Sequence, residues 1–332
     1  MNGSNKMILK QYLMKELGFE VSKITDISEN ISGTLCLVEN LNHKKIIIKI
    51  LKSDSLCRLY GFNKELLIQF LQTHISIVND ISHSIKSPKL IPVKDNFLQI
   101  YEDLIFYCME YLEGQIKEAD EVSLENKRVV AKTLAELHQT DVSHYDVNFW
   151  TIKLSFFTNA WQLFLQSGAA DILKGQIHML QKPLLNDFID RVCSTITAES
   201  IKDQCDYGVL SHTDIKPKNV LWNEREQPYF IDWEDICLMK PETDFIDTVT
   251  SWAVIKTPHQ YILDEKTMYE FRKAYDLKLS ISELDIYISA AKWMFWILSC
   301  YQLNRKKDAY DGVLMLELIS ENQQKLLDLG MN

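Results

Sequence analysis

One stretch, Leu210 to Glu234, restricts the fold and chemistry of this chain more than any other. It reads Leu-Ser-His-Thr-Asp-Ile-Lys-Pro-Lys-Asn-Val-Leu-Trp, then the polar Asn-Glu-Arg-Glu-Gln-Pro, then Tyr-Phe-Ile-Asp-Trp-Glu. His212, Asp214 and Asn219 stand in the order H-x-D-x-x-x-x-N, and Asp232 closes a short apolar run. Two apolar runs around a polar turn predict a hairpin, which would return Asp232 to the side of Asn219. Asx residues also cap ordinary turns, so Asp214 or Asn219 alone would say little. The whole spaced set has a chemical use that packing does not supply.

A hydroxyl attacking a γ-phosphate needs a carboxylate beside it to take its proton, and the phosphate charge needs Mg²⁺ on oxygen ligands. Asp214 suits the first task; Asn219 and Asp232 suit the second.

Upstream, the chain offers the parts of a phosphate cover. Ile24 to Val38 reads as two strands joined at Ser32-Gly33-Thr34, and Lys45-Ile-Ile-Ile-Lys-Ile50 as a third, with Lys49 inside it. Turn amides can approach phosphates and a strand lysine can reach them, although an ordinary hairpin would use the same letters. A lysine among isoleucines is either an outward edge residue or a buried cation with a partner. Glu65, in the first turns of a helix expected over 61–79, is the expected partner, with a surface position at a helix N-terminus as the alternative. After a strand pair at Phe97–Tyr101 and Leu104–Met109, the connector Glu-Tyr-Leu-Glu-Gly114 is the expected boundary between lobes, where main-chain groups of Glu110 and Leu112 could meet a purine base.

The rest reads as helical: 120–140, 153–167, 183–204, 246–257, 265–276, 282–303 and 306–328. His138 closes the first of these and suits a helix interface better than catalysis, and Asp244 is an expected N-cap that could brace the loop above it. The division expected is a nucleotide-binding lobe over 1–111 and a helical lobe over 112–332, with the catalytic segment at 210–245 and acceptor-binding helices at 145–205 and 246–332.

Composition narrows the class. A 46% hydrophobic, 25% charged chain of 332 residues is an ordinary globular protein with room for two cores. A net charge of −10 argues against nucleic acid, which is bound by clustered Lys and Arg, and suits a cationic small molecule better. Seven scattered cysteines include no C-x-x-C pair and point to buried thiols in a reducing compartment. The first residues lack the apolar core of a signal peptide, and the apolar run Trp293–Leu303 falls short of the ~20 residues that span a bilayer. A cytoplasmic protein without membrane contact is expected; the oligomeric state is not readable.

With Lys49, Glu65, the 109–114 connector, the H-x-D-x-x-x-x-N loop and Ile-Asp-Trp-Glu in this order, the chain resembles the aminoglycoside phosphotransferase and choline kinase-like family of the protein-kinase fold. The resemblance runs over 30–245 and is most specific at 210–245. It implies a bilobal α+β fold with a small β-rich first lobe. It also implies Asp214 as base, Asn219 and Asp232 as Mg²⁺ ligands, Lys49 as the phosphate lysine and Glu65 as its partner, with ATP or GTP as donor. Trp233-Glu234 in place of Phe-Gly, and the missing A-P-E segment, are similar to small-molecule kinases rather than protein kinases. Two positions depart: Thr213 stands where the family has Gly, and Lys216 where it often has His or Asn. Lys216 resembles the γ-phosphate lysine of protein kinases, or is a solvent-facing residue. The expected acceptor is a small cation, an aminoglycoside-type antibiotic before a choline-like amine or a sugar, which would confer antibiotic resistance. Glu234, Asp235, Asp247 and the aromatic block 146–200 are the expected acceptor wall. The alternative of another class is a non-catalytic binding or coat protein on the same fold.

Overall fold

The computed structural model describes residues 3–29, 32–206 and 208–331. The chain forms two compact units, one running to Gly114 and adding Tyr229–Ile231, the other holding Gln115–Pro228 and Asp232 onward.

The first unit is a sheet covered by helices. Its elements are α1 (Gly3–Leu17), β1 (Val21–Glu29), β2 (Gly33–Asn40), β3 (Lys45–Leu51), α2 (Ser53–Tyr60), α3 (Lys64–Ser84), β4 (Leu90–Ile91), β5 (Leu98–Tyr101) and β6 (Leu104–Glu110). The antiparallel sheet has the order β1-β2-β3-β6-β4, and β5 also pairs with β6. Ile46, Ile48 and Ile50 of β3 join Cys36, Val38, Phe106, Cys108 and the α1 residues Leu9, Tyr12 and Leu13 in one core. Side chains alternate along a strand, so Lys49 belongs to the face of β3 turned away from that core. In α3, Leu67, Phe70, Leu71, His74, Val78 and Ile81 form the buried stripe, a 3.6-residue period. Leu66 lies off that stripe and is exposed.

The second unit is mostly helical. It begins with β7 (Gln115–Ile116), α4 (Leu124–His138), α5 (Val147–Gln166), α6 (Ala169–Met179), α7 (Leu185–Thr195) and α8 (Ala198–Asp206). The central segment holds β8 (Val209–Ser211), β9 (Val220–Trp222) and β11 (Cys237–Met239), and between the last two in sequence runs β10 (Pro228–Phe230), whose Tyr229 and Phe230 belong to the first unit. Then come α9 (Pro241–Trp252), the short pair β12 (Val254–Lys256) and β13 (Tyr261–Leu263), α10 (Glu265–Tyr275), α11 (Glu283–Gln302), α12 (Lys306–Glu321) and α13 (Gln323–Asp328). Each strand pair here is small: β8 runs antiparallel to β11 with Ser211 opposite Cys237, and β9 runs antiparallel to β7 with Trp222 opposite Gln115. The turn after β9 closes where Asn223 N–H donates to the Gln227 carbonyl, and Asn223 Oδ1 accepts from Arg225 and Gln227.

The α+β architecture matches the expectation, and one detail differs. Asp244 is not the N-cap of its helix: α9 starts at Pro241, where proline's missing N–H costs nothing. Asp244 lies in its first turn, fully buried. No helix among the described residues is long and apolar enough to cross a membrane.

Candidate active site

The loop that leaves β8 is held from below before it presents any chemistry. His212 is fully buried, packs on Trp233 at 4.4 Å between centroids, and accepts from Asp214 N–H at 3.3 Å through Nδ1. Thr213 has φ of +64°, a left-handed conformation that costs a residue with a side chain about 1–2 kcal/mol. Three anchors offset that cost. Thr213 N–H donates to Asp244 Oδ1 at 3.1 Å, its hydroxyl donates to the Asp235 carbonyl at 3.0 Å, and its own carbonyl accepts from Lys292 Nζ. Asp244 is in turn engaged by His138 Nε2 at 3.1 Å, whose Nδ1 meets the Tyr275 hydroxyl at 2.6 Å. His138 is thus an interface histidine that braces the loop through Asp244. Burial works against charge on Asp244, but the bond from His138 and the nearby cations hold its carboxyl below the ordinary range.

Asp214 comes next, with its side chain about one-fifth exposed (21%). Its Oδ1 lies 2.6 Å from Lys216 Nζ; its Oδ2 accepts from Asn219 Nδ2 at 2.7 Å and lies 3.8 Å from Lys218 Nζ. Burial pushes its pKa up, yet Lys216, Lys218 and Lys292 outweigh that and bring it down to about 2. Asp214 is therefore a carboxylate at every physiological pH. Lys292 is held as a cation by the same logic: burial opposes its charge, and Asp247, Asp214 and Asp244 raise its pKa well above the ordinary lysine value. Its ammonium bonds Asp247 Oδ2 at 2.6 Å.

Asn219 donates to both the side chain and the carbonyl of Asp214, which fixes the amide so that its carbonyl oxygen is turned from Asp214. Asp232 is exposed and left-handed (φ +67°), at the start of the 3-10 turn Trp233–Asp235. Among the described residues no cluster of three His, Cys, Asp or Glu side chains forms a cation cage. A carboxamide and a carboxylate are hard oxygen donors that suit Mg²⁺, which takes one or two protein ligands and completes its shell with phosphate and water.

The acids expected to wall the acceptor site lie in two places, Glu234 and Asp235 in the turn after Asp232 and Asp247 in α9. Asp247 is buried (1% exposed) in its ion pair with Lys292. The main chain at Glu234 accepts from the buried Lys153 of α5 at 2.7 Å, and Asp235 is exposed.

In the first unit, Lys49 is buried (5%) on β3, opposite Leu35 of β2 and Tyr107 of β6. Gly33 opens β2 so close to β3 that a Cβ there would fall 2.2 Å from the Ile50 carbonyl oxygen and 3.2 Å from Lys49 Cε. Ser32 accepts from Lys52 N–H through its carbonyl, and Thr34 is buried opposite Ile50. Glu65 is exposed in the first turn of α3, and among the described residues no ion pair joins it to Lys49. The unforeseen α2 intervenes between β3 and α3, and Glu65 lies two residues before Leu67, off the buried stripe. Glu110 ends β6, exchanging bonds with Lys89 through its N–H and its Oε1; Leu112 follows in irregular chain.

Sequence reasoning missed Lys292, Lys218 and the tryptophans Trp293 and Trp296. The signal that singled out Lys49 was present for Lys292: one lysine inside the apolar run of α11. Lys216 Nζ stands 4.4 Å from the Trp293 ring centroid and Lys218 Nζ 5.1 Å from that of Trp296, both within cation–π range. These four residues line a cleft of about 250 Å³ in the second unit.

A kinase-like α+β fold carrying an ionised aspartate on an H-x-D-x-x-x-x-N loop defines a phosphotransferase that uses a hydroxyl of a small molecule as acceptor. The profile of the phosphotransferase enzyme family (APH) matches residues 82–274, more than half of the chain, and the chain belongs to that family. Similar solved structures include spectinomycin phosphotransferase APH(9)-Ia with ADP and spectinomycin (15% identity, TM-score 0.60, covering 97% of this chain and 96% of that one). The streptomycin–ATP complex of APH(2")-IIa is also similar (16%, 0.54, 98% and 98%). So is an ethanolamine kinase from Plasmodium vivax (17%, 0.56, 96% and 89%). No curated protein sequence matches the chain.

Proposed function

We propose that the protein transfers the γ-phosphoryl group of ATP or GTP to a hydroxyl of a small molecule that enters the cleft beside Asp214. The observation that carries this reading is the clamped Asp214–Asn219 pair: a carboxylate kept ionised by three lysines, on a strained turn anchored at Thr213. Strain that the surroundings over-determine in this way is found at functional sites. A non-catalytic binding protein would have no use for it.

Asp214 would accept the hydroxyl proton and aim the oxygen at phosphorus. Asn219 and Asp232 would hold Mg²⁺, which supplies charge neutralisation on the phosphates when bound. Lys216, now on Asp214 Oδ1, lies one side-chain swing from any phosphate presented to that carboxylate, and its charge suits the transition state. Lys49 would contact the nucleotide phosphates behind the Ser32-Gly33-Thr34 turn, and Glu110 and Leu112 would offer main-chain groups to the base. Glu65, exposed, serves this only if nucleotide binding moves it.

The test is a screen of nucleotide consumption and phosphate-ester formation, with Mg²⁺ and either ATP or GTP, over aminoglycosides, ethanolamine and choline, sugars and hydroxy acids. An acceptor-dependent gain of one phosphoryl group, absent in Asp214→Asn, supports the proposal. Nucleotide consumption that Asp214→Asn leaves unchanged for every active acceptor rejects it.

A further inference from the structure

The turn that follows Asp232 is fixed at three successive residues, and one of the anchors comes from α5, 81 positions away in sequence. Asp232 stands in the left-handed region (φ +67°) with an exposed side chain. An exposed carboxylate is aimed by the backbone beneath it, and the aim holds only if that backbone is held. Directly after it come the 3-10 residues Trp233, Glu234 and Asp235. The Trp233 ring packs on His212 with centroids 4.4 Å apart, and the Asp235 carbonyl accepts from the Thr213 hydroxyl at 3.0 Å. Both of those anchors belong to the loop that bears Asp214. The third does not: the Glu234 carbonyl accepts from Lys153 Nζ of α5 at 2.7 Å. A left-handed residue whose surroundings are tied down from several sides is a mark of functional sites.

Packing alone does not call for a lysine at this place. Lys153 is the one basic residue of α5 and lies on its buried stripe with Phe149, Trp150, Trp161 and Phe164. Only 9% of it is exposed. A leucine or methionine would fill the position without taking a cation out of water. Burial pulls the Lys153 pKa below the ordinary lysine value, against the attraction of Asp235, Cys237 and Glu234. A buried charge of this kind is a poor device for stability, since an apolar residue of similar volume is often as stable or more so. What the ammonium supplies is a charged donor, stronger than a neutral one, on a main-chain carbonyl two residues beyond Asp232.

We infer that Lys153 is a positioning residue for Asp232: by holding the Glu234 carbonyl it keeps the Trp233–Asp235 turn, and with it the Asp232 carboxylate, in the orientation that binds Mg²⁺. The inference rests on the reading of Asp232 as a Mg²⁺ ligand of the phosphotransferase, and it adds to that site a residue that touches neither metal nor substrate. Groups that orient a metal ligand from behind typically account for about tenfold or more of the metal affinity.

The experiment uses the full-length protein and reads binding without turnover. Mn²⁺ is the probe, titrated by electron paramagnetic resonance in the presence of the β,γ-imido analogues of ATP and GTP. Wild type, Lys153→Met, Asp232→Ala and the double variant form a cycle, and Lys153→Gln is carried through the same cycle so that the outcome does not hang on the folding of one variant. Lys153→Met should raise the Mn²⁺ Kd about tenfold, while its melting temperature without ligand stays at or above that of wild type. In the Asp232→Ala background the same substitution should change the Mn²⁺ Kd by less than about twofold, because a residue that acts through Asp232 then has nothing to position. An unchanged Mn²⁺ Kd in Lys153→Met, an equal loss with and without the Asp232 carboxylate, or equal Mn²⁺ affinity of wild type and Asp232→Ala each overturns the inference. Mn²⁺ binding that depends on Lys153 through Asp232, with no phosphorylation of any acceptor, would uphold the positioning role and count against the phosphotransfer reading. Asp214-dependent transfer with a Mn²⁺ Kd indifferent to Lys153 would do the reverse.

Discussion

Asp214 carries opposing demands. A proton acceptor should have some affinity for a proton, yet burial, which raises the pKa of Asp214, is overcome by Lys216, Lys218 and Lys292, leaving it near 2. Because the folded value is depressed, the stabilisation is present above the unfolded value of about 3.9 and is lost as pH falls through 2. A shift of this size is worth on the order of 2 kcal/mol. Urea midpoints of wild type and Asp214→Asn, both taken between pH 5 and 2, should therefore converge towards the acid end. At neutral pH the same substitution should lower kcat by ~10² or more, as loss of a general base does, while leaving nucleotide affinity within a few-fold by calorimetry. Lys216→Ala should also lower kcat, and it removes the nearest cation from Asp214, so its convergence region should move to higher pH than that of wild type.

The β8–α9 segment and α11 together support the loop. Lys292 of α11 bonds both the Thr213 carbonyl and Asp247 of α9. Removing one partner of a buried ion pair costs roughly 3–5 kcal/mol, so Lys292→Met should show a large loss in urea denaturation, and Lys292→Met combined with Asp247→Asn should recover part of it. At the β2–β3 pair, Gly33→Val would drive a side chain into the Ile50 carbonyl. Overpacking of this kind costs about 1–3 kcal/mol, and nucleotide affinity should fall with it in calorimetric titration. Much of this was legible locally. The loop, its hairpin and the lysine strand lie within short windows where spacing carries meaning. The exposure of Glu65 and the partners of Lys292 were not, because which residue faces a given lysine depends on helix phase and on contacts across 79 residues. The helix α2 between β3 and α3 was not expected from the letters of Ser53 to Tyr60, and Glu65 falls on the exposed side of α3. Thr213, by contrast, was visible as a departure in the sequence, and its three anchors explain how a threonine holds a left-handed position there.

Across the whole chain, a net charge of −10 made a cationic acceptor the expectation, whereas the cleft lined by Lys216 and Lys218 carries three lysines and three acids, of which Glu118 and Asp308 are in ion pairs. Global charge governs solubility and long-range steering; a site is set by which charges remain available to a ligand. Fold class was readable because strand and helix periods persist over many residues, and acceptor chemistry was not because it depends on pairs such as Lys256–Glu118, 138 positions apart. Nucleotide with Mg²⁺ should raise the melting temperature by a few degrees at saturating concentration, since ligand at ~100 times Kd adds about 2.7 kcal/mol. Asp232→Ala should reduce the part of that rise that requires Mg²⁺.

The central claim is that Asp214 directs phosphoryl transfer to a small-molecule hydroxyl. Mass spectrometry of acceptor mixtures incubated with nucleotide, Mg²⁺ and either wild type or Asp214→Asn tests it most directly. The account predicts one phosphoryl group added to an acceptor by wild type, and a yield lower by ~10² or more with Asp214→Asn at matched enzyme and time. Equal yields from the two proteins, or no phosphorylated acceptor from wild type in a mixture spanning hydroxy acids, sugars, amines and aminoglycosides, would contradict it.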